Sequence, residues 1–147
     1  PDMAPMLFAK KILSGEAIDV FNYGNHRRDF TYIDDIIKGI LAAIDSPATP
    51  DPLWDSKHPI PHSSSAPYKL YNIGSNNPVE LLHFIELLEQ AFEKPVEKNL
   101  LPIQPGDVPD TYADVSALMS ELHYQPSTSI EQGVTAFAGW YKHYFKV

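Results

Sequence analysis

At 147 residues the chain has the length of one ordinary domain, long enough to bury a core. Its formal net charge of −8 argues against nucleic acid as a partner, because such binding rests on neutralising phosphates with Lys and Arg. The absence of cysteine excludes disulfides and thiolate metal sites and suits a reducing cytoplasm, and no run of about 18 apolar residues suggests a membrane anchor.

In chain order, the first predicted element is a helix over about 3–13, with Met3, Met6, Leu7, Phe8, Ile12 and Leu13 apolar and Gly15 as its stop. Ile18 to Phe21 alternates like a short strand and turns at Tyr23-Gly24-Asn25. Phe30 and Tyr32 alternate again as a second strand. Asp34 then suits the N-cap of a helix whose stripe is Ile36, Ile37, Ile40, Leu41 and Ile44. Residues 46–67 carry six prolines among Ser, Asp and His, which predicts an irregular loop that is either functional or poorly ordered.

Order resumes at Tyr68 to Gly74, read as a strand ending in a turn, and Pro78 suits the first turn of a helix with face Leu81, Ile85, Leu88 and Phe92. Asn99-Leu100-Leu101 is a short strand candidate, followed by the turn Gln104-Pro105-Gly106-Asp107. Asp114 caps a helix over 116–122. Ser129 and Gln132 form a capping box for a last helix with Val134, Phe137, Tyr141 and Tyr144 on one side. The fold class is α/β, a small domain of short strands and several helices.

The segment Arg27 to Ile40 is the most informative in the chain. It joins two guanidiniums, alternating aromatics, a carboxylate helix start and an apolar helix face. Arg28 at a strand end is a candidate diphosphate clamp, since a guanidinium fork matches phosphate oxygens two at a time. On spacing alone, an exposed pair bridging Asp29 and Asp34 is the favoured reading. Phe21 and Tyr23 could stack on a base, although aromatics at such spacing are more often core. Asp107 could accept from ribose hydroxyls, although a simple turn residue is the commoner role.

The six histidines make no metal or nucleophile pattern, and His58 and His62 are separated by prolines. Asp107, Asp110 and Asp114 are not at calcium-loop spacing, so no metal site is expected. Equally, no two glycines are two or three apart and no Tyr-x-x-x-Lys occurs, so the chain carries neither a dinucleotide loop nor an oxidoreductase pair.

These pieces resemble the C-terminal half of an extended short-chain dehydrogenase/reductase acting on nucleotide sugars, and most of all the bacterial UDP-glucuronate 4-epimerases. Pro1-Asp2-Met3-Ala4, Arg28-Asp29-Phe30-Thr31-Tyr32, Ser64-Ser65-Ala66-Pro67-Tyr68 and Gln104-Pro105-Gly106-Asp107-Val108 carry the likeness. The last two narrow it from the superfamily to the uronate epimerases. Since the chain opens on Pro1 within such a block, it is read as a fragment, a substrate-binding domain over 1–147 whose N-terminal Rossmann domain is absent.

The resemblance implies that Arg28 contacts the UDP diphosphate, Phe21 packs against uracil and Asp107 reaches the ribose. It implies that the backbone around Met3, Ala4 and Pro5 borders the nucleotide at a helix start, and that Gln104 stands where many relatives carry a second diphosphate arginine. In the intact relatives, NAD accepts and returns the sugar C4 hydride around a rotating 4-keto sugar, with Tyr and Lys as the acid/base pair. This chain would hold the UDP-sugar, bind no NAD alone and catalyse nothing alone. A homodimeric cytoplasmic parent serving polysaccharide biosynthesis is expected. A nucleotide-sugar dehydratase or decarboxylase half, or a stand-alone binding module, are the alternatives.

Overall fold

The computed structural model describes residues 3–147; Pro1 and Asp2, which open the first family block, lie outside the described residues. The elements in order are α1 (Ala4–Ser14), β1 (Ile18–Val20), a short turn (Phe21–Gly24), β2 (Arg27–Arg28), α2 (Ile33–Asp45), β3 (Val79–Glu80), α3 (Leu81–Phe92), β4 (Lys98–Leu100), α4 (Ser116–Leu122) and α5 (Ile130–Phe145). They gather into two compact units.

The first unit holds the residues up to Phe30, with Asn77–Tyr112 and Thr128–Val147. Its core forms where the apolar stripes of α1, α3 and α5 meet β1: Ala9, Ile12, Ile18, Val20, Ile85 and Leu88 are fully buried or nearly so, with Val134 and Ala138 from α5. The expected face of α3 is therefore the one that packs, and Phe92 meets Tyr141 edge-on with ring centroids 5.7 Å apart. α1 ends at Gly15, whose N–H returns to Ile12, with Glu16's N–H on Lys11. α5 opens on the expected capping box, in which the Ser129 hydroxyl accepts from Gln132 N at 3.3 Å and the Gln132 side chain accepts from Ser129 N at 3.0 Å.

Strand pairing in this unit is sparse. β1 runs parallel to β4 with Ile18 opposite Lys98, and β2 runs antiparallel to β3 with Arg28 opposite Val79. Two expectations change here. The strand predicted at Phe30 and Tyr32 is absent, and the ladder stops at Arg28. Beyond it the Asp29 N–H turns to the Thr111 hydroxyl (3.3 Å), and the Phe30 ring stacks on Phe84 with centroids 4.2 Å apart. Pro78 does not start α3 either. Val79 and Glu80 are drawn into pairing with β2, and α3 begins at Leu81, whose N–H goes to the His26 carbonyl.

The second unit holds Thr31–Asn76 and Ala113–Ser127. α2 starts at Ile33 with Tyr32 as N-cap, so Asp34 falls inside the first turn, where its charge still favours the helix N-terminus. Of the predicted apolar stripe of α2, Ile37, Ile40, Leu41 and Ile44 are exposed, Ile44 at 64%, and Ile36 is half-buried, while the buried positions are Asp35 and Gly39. Asp35 is held by Lys38 Nζ at 2.9 Å and by Ser127. The strand expected over Tyr68–Ile73 is reduced to a single bridge, Ser63 with Lys69. That segment's polar groups go elsewhere: Lys69 and Tyr71 reach Glu121 of α4, and the Asn72 amide donates to the Asp114 carbonyl.

Asp114 precedes the N-cap of α4, Val115, and its carboxylate accepts from Ser116 N at 3.0 Å and Ser116 Oγ at 2.6 Å. Residues 46–67 contain neither helix nor strand. Asp51 ties them together by accepting from Leu53 N and the Ser63 hydroxyl.

Candidate functional site

The first unit brings residues far apart in sequence onto one small wall. β2 is flanked on one side by β3 and on the other by the segment after the Pro-Gly turn, because Arg27 N donates to the Pro109 carbonyl and Thr111 N to the Arg27 carbonyl. The turn itself closes through Asp107 N on the Gln104 carbonyl (3.1 Å). Pro105 in the second position and Gly106 in the third, at φ 84°, are what a type II turn requires. The result sets Asp107 beside Arg28, 79 residues away in sequence.

Arg28 uses its fork on fixed acceptors. Its Nη1 donates to the Arg27 carbonyl at 3.0 Å and the Pro109 carbonyl at 2.9 Å, and its Nη2 pairs with Asp107 Oδ1 at 3.1 Å. The bridge to Asp29 or Asp34 favoured on spacing is thus replaced by a long-range pair. Asp107 Oδ1 also accepts from Val108 N at 2.9 Å.

These groups border a cavity of about 500 Å³, within the range of small-molecule sites. Ala4, Pro5 and Phe21 border it as well, so five of the six expected contact residues share one wall. The sixth, Gln104, is exposed and is not among the residues that line the cavity. Phe21 begins the turn after β1 and is half-buried. The start of α1 faces the same space. Pro5 has no N–H and Met6 N already bonds the Met3 carbonyl, so Ala4 holds the first-turn amide uncommitted within the helix. Lys11 and Asp19 pair across the cavity wall at 3.4 Å. The Asn99 amide, and after it Lys11, hold the Asp19 carboxyl below the usual carboxylate range.

One residue of the wall is absent from the sequence reading. His26 is 3% exposed, lies just before β2 and borders the same cavity as Arg28, two residues on. That two-residue spacing is the signal that could have marked it. Its Nε2 is buried without a hydrogen-bond partner among the described residues, 3.4 Å from Asp107 Oδ2.

The second unit carries a polar cluster of another kind. Lys69 Nζ and the Tyr71 hydroxyl both lie 2.7 Å from the Glu121 carboxylate. Burial, and then the neighbouring Glu121, push Tyr71 up to about 12, whereas its bonds from Lys69 and then Tyr71 hold Glu121 low.

No group of three or more His, Asp or Glu among the described residues could hold a metal ion, and no helix among them is long and apolar enough to cross a membrane. No two glycines among the described residues are spaced as a dinucleotide phosphate loop requires. The glycines of positive φ, Gly15, Gly24 and Gly106, stand singly at a helix end and in two turns. No hydride step is assigned to this chain.

Comparison with known proteins follows the same lines. The NAD dependent epimerase/dehydratase family matches residues 2–74. Protein CapI of Staphylococcus aureus is 48% identical over 146 residues, which cover 99% of this chain and 44% of that protein. The probable UDP-glucuronate 4-epimerase of Rhizobium meliloti is 38% identical, over 96% of this chain and 42% of that protein. Among solved structures, the UDP-glucuronic acid 4-epimerase of Bacillus cereus, in complex with UDP-glucuronic acid and NAD, superposes with a TM-score of 0.76 at 32% identity, over 98% of this chain and 41% of that one. The chain thus spans less than half the length of the relatives it matches. In sequence and in fold the chain is similar to members of the NAD dependent epimerase/dehydratase family, and it matches only part of their length.

Proposed function

We propose that the cavity beside Arg28 binds the UDP part of a nucleotide sugar, and that residues 1–147 are the substrate-binding domain of an NAD-dependent UDP-glucuronate 4-epimerase. The observation that carries this reading is the Arg28–Asp107 pair on a cavity wall shared with Phe21 and the start of α1. A diphosphate has oxygens for the remaining guanidinium N–H groups and for the amide at Ala4, where the helix dipole also favours an anion. Phe21 packs against uracil, and Asp107 accepts from the ribose hydroxyls. Gln104, away from the cavity wall, leaves Arg28 as the one arginine on it.

The contribution of this domain is positional: it holds UDP while the sugar turns. Acid/base residues and the NAD site belong to a Rossmann domain in the rest of the parent, and this chain alone is inactive. That domain also covers the exposed face of α2, where Ile33, Ile37, Ile40, Leu41 and Ile44 are each more than 40% exposed. The parent is placed in the cytoplasm, as a homodimer supplying a uronate sugar for polysaccharide synthesis.

The test is an activity assay on the full-length gene product with UDP-glucuronate and, separately, UDP-glucose, followed by NMR. Conversion of only the uronate to its 4-epimer is the expected result. A keto or decarboxylated product would instead make the parent a dehydratase or decarboxylase, and no turnover with retained UDP binding would leave a binding module.

A further inference from the structure

We propose that His26, as an imidazolium, positions the Asp107 carboxylate and supplies a third cation to the cavity wall, so that UDP-sugar binding is coupled to proton uptake. This inference rests on the UDP-sugar reading of the site. Its first support is the surroundings of the ring. Nδ1 lies 3.1 Å from the Val108 carbonyl and 3.3 Å from the Pro109 carbonyl. Both are acceptors, so Nδ1 carries a hydrogen. In a neutral ring Nε2 is then a bare acceptor, and it faces Asp107 Oδ2, a second acceptor, at 3.4 Å. Only the doubly protonated ring gives both nitrogens a partner. The buried, unbonded Nε2 is the place where that proton would sit.

The second support is the charge on the wall. It presents two permanent cations, Lys11 from α1 and Arg28 from β2. Against them stand three carboxylates: Asp19 from β1, Asp29 after β2 and Asp107 from the Pro-Gly turn. With a neutral His26 the wall is net negative, a poor host for a diphosphate. Protonation balances it and turns the trio of His26, Asp107 and Arg28 from neutral to positive where the anion would bind. The other charged groups near β2, Glu80 on β3 and Asp110 after the turn, lie in register with Arg27.

By linkage, a proton that favours the ligand is itself favoured by the ligand, so binding must take up protons. The experiment is calorimetry of UDP-glucuronate on the full-length protein, in buffers of different ionisation enthalpy, between about pH 5.5 and 8.5, where the probe's own charge is constant. The expected result is proton uptake on binding and an affinity about tenfold weaker at the high end, one decade for each unit of linked proton affinity.

His26→Gln, which can donate but never charge, should bind at the weak level throughout with no proton uptake. Should that variant fold poorly, the wild-type proton uptake and the NMR shift of a buried imidazole on UDP-glucuronate addition decide alone. A pH-independent wild type, or a His26→Gln protein that keeps the pH dependence, overturns the role of His26 and leaves the UDP site intact. Absence of binding at every pH overturns the UDP reading itself.

Discussion

Arg28→Ala in the full-length protein is expected to weaken UDP-glucuronate binding by at least tenfold. The three hydrogen bonds of Arg28, at 3.0 and 2.9 Å to carbonyls and 3.1 Å to Asp107, hold the fork in place before any ligand arrives. A charge-assisted hydrogen bond contributes about 1.5–3 kcal/mol, or about ten- to a hundredfold in affinity. The substitution also leaves Asp107 without its guanidinium partner on the cavity wall, where its charge opposes a diphosphate. Both effects have the same sign.

The double variant Arg28→Ala with Asp107→Asn should therefore recover part of the loss, and Arg28→Lys should lie between, having the charge without the fork. The ion pair itself, with side chains 27% and 32% exposed, contributes about 1 kcal/mol or less to stability, and the two carbonyl bonds lost with it make a folding control necessary. Isothermal calorimetry with UDP-glucuronate, checked by circular dichroism, reads the effect. Equal affinity in a folded Arg28→Ala protein would refute the clamp.

Three further outcomes are expected. Gly24 has φ 85° and a Cβ there would meet Leu82 Cγ at 2.7 Å, so Gly24→Ala should cost about 2–5 kcal/mol in urea unfolding; a loss under about 1 kcal/mol would mean that the turn relaxes. Glu121 is held below its ordinary 4.5, first by Lys69, so its contribution to stability is present above that value and lost as pH falls through the lowered one. Urea midpoints of Glu121→Gln should accordingly depend less on pH below about 4.5 than those of the wild type, and identical profiles would exclude the ion pair as a source of acid sensitivity. Finally, replacing Ile37 and Ile44 on the exposed α2 face with Lys should reduce self-association of the 147-residue chain in sedimentation velocity, and an unchanged distribution would show that this face is not adhesive.

The sequence by itself determined the long helices and the turn chemistry. The period of Leu81, Ile85, Leu88 and Phe92, the Ser129–Gln132 box and the Pro105-Gly106 turn are local signals, and local physics obeys them. Short strands were legible only in part. A two-residue strand such as Arg27–Arg28 exists because Val79, Glu80 and Pro109 come to meet it, and no pattern within two residues records that. The alternation at Phe30 and at Tyr68 to Ile73 found better partners in Phe84 and in Glu121 than in a neighbouring strand.

The same division runs through the candidate site. Arg28, Phe21 and Asp107 were each nameable from the chain, as was the start of α1. Their meeting on one wall, and the presence of His26 between the turn and the arginine, was decided by tertiary structure. The reason is physical: what a side chain can do depends on which acceptors and charges face it, and those come from segments some 80 residues away.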